Sequence, residues 1–414
     1  MIVTFLGFLL LVVLYHILVT VIFGIFHGSL PRIPSLLRDG IWIFFVISTL
    51  VFWKLLPGYL KRRNRARIFL ILCVFSVLVS WIKDKSFYDM FVGFKYGFQY
   101  ISFFLMATVL GWIAGKQHKF ERIERFFSRI PLWLTIVVGF GFLWQGAKLL
   151  WPNLFLSLYG PLDDFHFANP PLYYLTGLDT LRWQGIFAGP NNYGYFLVAF
   201  LPLILQAFPL KLAERKSRFT KKILPNLAVN LLWIVAILAT LSRTAIIGVL
   251  IVFALTQINR LRTHKKRAYG LAILALLGIL GLSVLKSSTI AHIHAKLSLS
   301  YVFQHPRGYG LGSSPAIHHN TMLPENYFIQ LLIDIGRIFC LWVMAIVFCA
   351  KNQVKSVDAL IRNQSQEIIL RAYIGYVALL IMVFLHVFED SMINYTFFVL
   401  WGAYLYIQSK KLNK

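Results

Sequence analysis

The sequence predicts an all-α polytopic membrane protein, and three observations carry that expectation: an apolar composition, a series of helix-length apolar runs, and a one-sided distribution of basic residues. Of 414 residues, 58% are hydrophobic and 14% are charged, with a mean hydropathy of +0.71. Ordinary globular chains carry about 25% charged residues, so a soluble enzyme is excluded. The three cysteines, Cys73, Cys340 and Cys349, lie inside or at the end of apolar runs without a CxxC spacing, which indicates neither a disulfide framework nor a thiolate metal site.

A membrane helix needs about 20 mostly apolar residues. About twelve runs approach that need, near 2–26, 41–56, 68–82, 91–114, 130–151, 186–209, 224–240, 244–259, 269–285, 326–349, 370–388 and 395–408. The first lacks a basic leader and is too long in its apolar stretch for a cleavable signal peptide. With the N-terminus in the cytoplasm, the loops 57–67, 115–129, 210–223, 260–268 and 350–369 and the C-terminal tail are cytoplasmic as well. That side, Arg371 included, holds 28 Lys+Arg against 5 acids, and the opposite side holds 9 against 9. The asymmetry is the positive-inside rule. The formal charge of +26 therefore reports orientation and contact with an anionic lipid surface. Nucleic acid, which needs one clustered basic face, is not an expected partner.

Most connections are short, and neither a tandem repeat nor a low-complexity region is visible, so residues 1–414 read as a single integral membrane domain. Two connections on the outer side are long, about 152–185 and 286–325, and loops of that length in a compact domain usually carry function. The first is rich in aromatic residues, Pro and Asp. The second contains Gly308, Gly310 and Gly312, then His318, His319 and Asn320.

Four polar clusters fall on the outer face by this topology. Arg182 precedes the sixth run, which opens Gly185-Ile186-Phe187-Ala188-Gly189-Pro190-Asn191-Asn192-Tyr193-Gly194. Ser242-Arg243-Thr244 forms the turn between the seventh and eighth runs. His318-His319-Asn320 and Pro324-Glu325-Asn326-Tyr327 lead into the tenth, and His386, Glu389 and Asp390 end the eleventh. Arginines bind diphosphate through charge-assisted, often bidentate hydrogen bonds, and a carboxylate or imidazole near an attacking hydroxyl serves as general base. The set suits transfer of an anionic, lipid-linked group.

Each residue also has a plainer reading. Arg243 either contacts phosphate, with Ser242 and Thr244 beside it, or snorkels to the interface. Arg182 either binds phosphate or pairs with Asp179. Asn191 and Asn192 either bind sugar or join helices. Glu325 is either a base or a first-turn acid at a helix N-terminus, and His319 either acts on the acceptor or is an exposed loop histidine. Asp334 and Arg337, three residues apart in mid-run, are expected to pair inside the bundle.

These motifs resemble those of the O-antigen ligase and polysaccharide polymerase superfamily. The resemblance rests on Gly185-Ile186-Phe187 through Pro190-Asn191 and Gly194, on Leu241-Ser242-Arg243-Thr244-Ala245 with Gly248, and on the run from Gly308 through His319-Asn320 to Gly336. It implies a metal-independent glycosyltransferase of the membrane-embedded GT-C type, without cofactor, acting on undecaprenyl-diphosphate-linked glycans at the outer face. It implies donor-diphosphate contacts for Arg182 and Arg243. Ligases of the superfamily carry a His followed by Asn, Ser or Gln, then nine residues and a Gly; here that spacing falls on Glu325-Asn326 and Gly336. Many polymerases of the superfamily have an acid in this place, so polymerisation of lipid-linked repeat units is the expected activity. Either Glu325 or His319 takes the acceptor proton, and Asn320 and Asn326 are expected beside the substrate. A chain-length regulator is a possible partner. The alternatives are ligase-type transfer of finished polymer to another acceptor and, from another class, a lipid-linked oligosaccharide flippase. A flippase expects polar groups at mid-bilayer, and here they gather outside.

Overall fold

The computed structural model describes residues 64–83, 120–154, 173–174, 181–187, 189–207, 219–260, 306–311, 333–336 and 367–385, with scattered positions in 40–52, 85–94 and 109–117. They are mostly helical: α1 Asn64–Ile82, α2 Phe120–Leu150, α3 Pro190–Ala207, α4 Phe219–Ala239, α5 Arg243–Arg260 and α6 Glu367–Leu385. A two-residue antiparallel pair, β1 Tyr173–Tyr174 with β2 Leu181–Arg182, places Tyr173 opposite Arg182.

Helix α3 is the centre. Its sequence is apolar on every side, and a helix of that kind belongs inside protein or membrane. From Tyr193 to Ile204 its apolar residues are 5% exposed or less. It packs most extensively on α6 and α5, then on α4 and α2. Two glycines make the close crossings possible. A Cβ on Gly194 would sit 2.7 Å from the Ala245 Cβ of α5, and one on Gly248 of α5 would stand 2.8 Å from Val198 of α3 and overlap Met382 of α6. Small residues at such crossings let backbones approach, which is how helices gain contact energy where lipid removes the hydrophobic drive. Trp233 of α4, fully buried, donates its indole N–H to the Leu197 carbonyl of α3 at 2.9 Å, as a buried indole requires.

Helix α2 is two-faced. Ile123, Phe127, Ile130, Leu134, Val138, Gly141, Gln145 and Lys148 are buried, at spacings of three and four that trace one helical stripe. Leu132, Trp133, Ile136, Phe140 and Leu143 on the other face are 45–73% exposed. The exposed faces of α1, α4 and α5 are apolar too, among them Trp81, Leu238 and Phe253. Apolar surface of this extent is uncommon on soluble monomers. Among the described residues one helix, Phe120–Leu150, is long and apolar enough to cross a membrane, and shorter apolar helices are Cys73–Ile82, Pro225–Ala239 and Thr244–Thr256.

Several boundaries differ from the sequence expectation. Helix α2 begins at Phe120, inside the stretch expected as the loop 115–129, because Ile123 and Phe127 extend its buried stripe while Glu121, Arg122 and Arg125 stay outside. The sixth run does not become helical until Pro190, since Gly185 takes φ +55 and residues 185–187 turn. Pro190 is thus the first helical residue, where a missing N–H costs nothing, rather than an interruption within a span. The run 326–349 is broken at Gly336, whose φ of +59 is incompatible with a continuing right-handed helix. The runs 2–26, 269–285 and 395–408 lie outside the described residues.

Gly194→Ala is expected to destabilise the protein by about 1–3 kcal/mol through overpacking against Ala245. Adding Ala245→Gly should recover most of the loss. Thermal unfolding of the detergent-solubilised single and double variants checks this.

Candidate functional site

The ends of α2 and α4 and the beginnings of α3 and α5 are brought together by the segment 181–189. Trp183 N donates to the Ala239 carbonyl at 2.9 Å, which straps the segment to the end of α4. The Trp183 ring meets Phe142 of α2 edge-on, centroids 5.0 Å apart. Gln184 N approaches the Gln145 Oε1 of α2 at 3.4 Å. Gly185 then turns the chain with its φ of +55, and the Tyr193 ring lies against it and against Gly141: a Cβ on Gly185 would be 3.2 Å from the ring. Phe187 stacks on the same ring, centroids 5.1 Å apart.

The turn between α4 and α5 is as tightly determined. Leu241 takes φ +47, a left-handed conformation that costs a non-glycine residue about 1–2 kcal/mol. It holds there because the flanking hydroxyls satisfy the turn. Thr240 Oγ1 donates to the Ile237 carbonyl at 2.7 Å and accepts from Ser242 N at 3.2 Å. Ser242 Oγ accepts from Ala245 N at 3.4 Å, the placing of an N-cap residue on α5. Ser242 is buried, so its hydroxyl serves the helix end.

Arg182 joins these two constructions. Its Nε donates to the Thr240 carbonyl at 3.1 Å, and its Nη2 donates to Asn191 Oδ1 at 2.8 Å. The guanidinium is therefore fixed between the first turn of α3 and the turn that opens α5. Both helix N-termini carry partial positive charge, and Arg243 is the first residue of α5. Asn192 and Thr244 are half-buried beside them. Positive helix ends and a pinned guanidinium make an environment that favours an anion with several oxygens.

Sequence reasoning expected phosphate or Asp179 beside Arg182 and did not foresee Thr240 and Asn191; Asp179 lies outside the described residues. It also missed a buried polar group behind the site. Gln145, Lys148 and Gln184 are each 1% exposed or less. Among the described residues, Gln145 Nε2 and the Tyr193 hydroxyl have no hydrogen-bond partner. The signal was present in the sequence: Gln145 and Lys148 lie three apart on one apolar run, and an ionisable side chain in such a run marks a functional or structural special case.

The other expected residues divide plainly. The side chain of Arg243 lies outside the described residues, as do Glu325, His319, Asn320 and Asn326, His318, Arg337, and His386, Glu389 and Asp390. Asp334 is buried at 2% exposure, in the short helical piece before Gly336. Among the described residues no group of three or more His, Cys, Asp or Glu gathers as a metal site would require. The chain matches no protein-family model, no curated protein and no solved structure.

Asn191→Ala removes the acceptor of Arg182 Nη2 and is expected to destabilise the protein by about 1.5–3 kcal/mol, the range for hydrogen bonds to charged groups. Asn191→Asp, which keeps the acceptor, should not. Thermal unfolding in detergent followed by tryptophan fluorescence reads both.

Proposed function

We propose that this chain is a multi-pass membrane glycosyltransferase that polymerises undecaprenyl-diphosphate-linked oligosaccharide units on the outer face of the cytoplasmic membrane. In this reading it has about twelve spans in a GT-C-like bundle, with both termini in the cytoplasm. The observation that carries the reading is the fixing of Arg182 by Asn191 and Thr240 between the N-termini of α3 and α5. The superfamily motifs around Arg182, Arg243 and Glu325 supply the choice of substrate.

In the reaction, a sugar hydroxyl of the acceptor attacks the anomeric carbon of the donor glycan. The bond from that carbon to the diphosphate oxygen breaks, and the lipid diphosphate leaves as an anion. Arg182 and Arg243 stabilise the negative charge that develops on it, an electrostatic contribution that is largest when the donors are already in place. Arg182 meets that condition, because its bonds to Thr240 and Asn191 hold the guanidinium before substrate arrives. The acceptor proton passes to Glu325 or His319, a carboxylate or an imidazole being able to serve as general base. The aromatic loop 152–185 offers the glycan flat apolar faces.

Arg243→Ala and Arg182→Ala are each expected to abolish chain extension in a polymer ladder while the protein remains in the membrane. A normal ladder in both variants would refute the assignment. A deletion strain that keeps single repeat units supports a polymerase, whereas one that accumulates long lipid-linked polymer indicates a ligase. For topology, single cysteines are placed in a chain whose Cys73, Cys340 and Cys349 are replaced by Ala. A membrane-impermeant maleimide on intact cells should label Ser157→Cys and spare Ser217→Cys until the membrane is opened; the reverse pattern would overturn the orientation.

A further inference from the structure

One exposed face of α2 changes character along its length. The helix is long and apolar enough to cross a membrane, and it is a single helix through Pro131. Its buried stripe packs against α3, α4 and α6. On another side Arg122, Arg125, Arg129, Trp133, Ile136 and Phe140 follow one another at spacings of three and four, and all six are exposed. That spacing puts them on one face, basic up to Arg129 and apolar from Trp133 onward. Trp133 is 55% exposed and Trp151 is 58% exposed. The last turn of the helix reaches Trp151, whose N donates to the Ala147 carbonyl at 2.9 Å. At 1.5 Å per residue the two tryptophans stand about 27 Å apart along the axis, close to the roughly 30 Å of a bilayer's hydrocarbon core. Tryptophans at both ends with apolar residues between them are the pattern of a helix face that meets lipid. Arg129 is then about 6 Å beyond Trp133, at the depth of phospholipid head groups, with Arg125 and Arg122 one and two turns further.

The charge of this face is not cancelled along the helix. Side chains that meet on a helix are three or four residues apart. Arg122 and Arg129 have no Asp or Glu at those positions, whereas Arg125 has Glu121, and Glu124 is half-buried off this register. A guanidinium binds phosphate oxygens in a charge-assisted and often bidentate way. A second copy of the chain in the same orientation would bring the same arginines to the face, so like charge opposes that occupant and a lipid phosphate cancels it. We propose that this face is a binding site for an anionic phospholipid. The head-group phosphate lies at Arg125 and Arg129, Arg122 adds to the attraction, and the acyl chains lie along Trp133, Ile136 and Phe140. The site stands apart from Arg182. It depends on the membrane placement of α2 and not on the transferase reading.

The test titrates purified full-length protein, in an uncharged detergent, with phosphatidylglycerol or phosphatidylcholine of matched acyl chains and counts bound lipid by native mass spectrometry. Wild type should bind its first phosphatidylglycerol about 10- to 100-fold more tightly than phosphatidylcholine, the scale of a few basic residues at a membrane surface. The triple variant Arg122→Gln, Arg125→Gln, Arg129→Gln should lose that preference and leave phosphatidylcholine affinity unchanged. Its thermal unfolding in detergent alone should match wild type, because all three side chains are exposed. Arg215→Gln, Lys216→Gln, Arg218→Gln, an equal loss of charge in the stretch 210–223, should keep the preference. Phosphatidylglycerol with brominated acyl chains should quench the tryptophan fluorescence of wild type more than that of Trp133→Phe. Equal affinity for the two lipids in wild type would overturn the site, as would a preference that survives the arginine variant or is lost equally in the 210–223 variant. Quenching that is the same in Trp133→Phe would remove the acyl chains from this face. A dimer that the arginine variant breaks, with no lipid preference, would assign the face to a second copy and refute the lipid site.

Discussion

The packing of α3 against its neighbours on every side is the constraint from which the described architecture follows. From Tyr193 to Ile204 this helix has no face left for solvent or lipid, and α5 and α6 must approach it closely enough to leave no void. Gly194 and Gly248 permit that approach by removing the side chains that would separate the backbones. Once α5 lies against α3, the turn that begins α5 lies beside the first turn of α3. A guanidinium on the preceding segment then reaches both.

That juxtaposition is local in its chemistry and non-local in its cause. Arg182 bonds to a carbonyl 58 residues further along and to an amide 9 residues along, and neither partner is specified by motif spacing. The strain at Leu241 belongs to the same construction. A left-handed non-glycine residue persists only when its surroundings over-determine it, and here Thr240 and Ser242 commit their hydroxyls to the turn. The reward is a short connection that keeps the end of α4, where Trp183 is strapped, and the beginning of α5 in register. In the proposed reaction, such rigidity would present positive charge to the developing anion without rearrangement.

The glycines divide by physical role. Gly194 and Gly248 are small because helices cross there. Gly308 and Gly336 are small because the backbones of 306–308 and 334–336 meet there, and they also take φ values closed to most residues. Gly185 combines a left-handed turn with the support of the Tyr193 ring. In the sequence four of the five look alike, as glycines within or beside apolar runs, while Gly308 stands in the long loop 286–325.

Much of the helical layout was legible in the residues. The apolar runs at 68–82, 130–151, 224–240, 244–259 and, to Leu385, 370–388 are essentially helical, because an apolar run of that length satisfies its backbone hydrogen bonds only internally. The exposed apolar face of α2 follows from the same composition. The short β1–β2 pair was not legible, since two residues leave no periodicity to read. Nor was the break at Gly336, which a hydropathy window averages away. For the candidate site, sequence alone determined that Arg182, Asn191 and the Ser242-Arg243-Thr244 turn stand at the ends of apolar runs. Only the tertiary structure decided that Arg182 is held by Asn191 and Thr240, that Ser242 caps a helix, and that Gln145, Lys148 and Gln184 are buried. The physical reason is that hydropathy and charge report what each segment needs from its surroundings, whereas a hydrogen bond between segments depends on which helices touch and at what height.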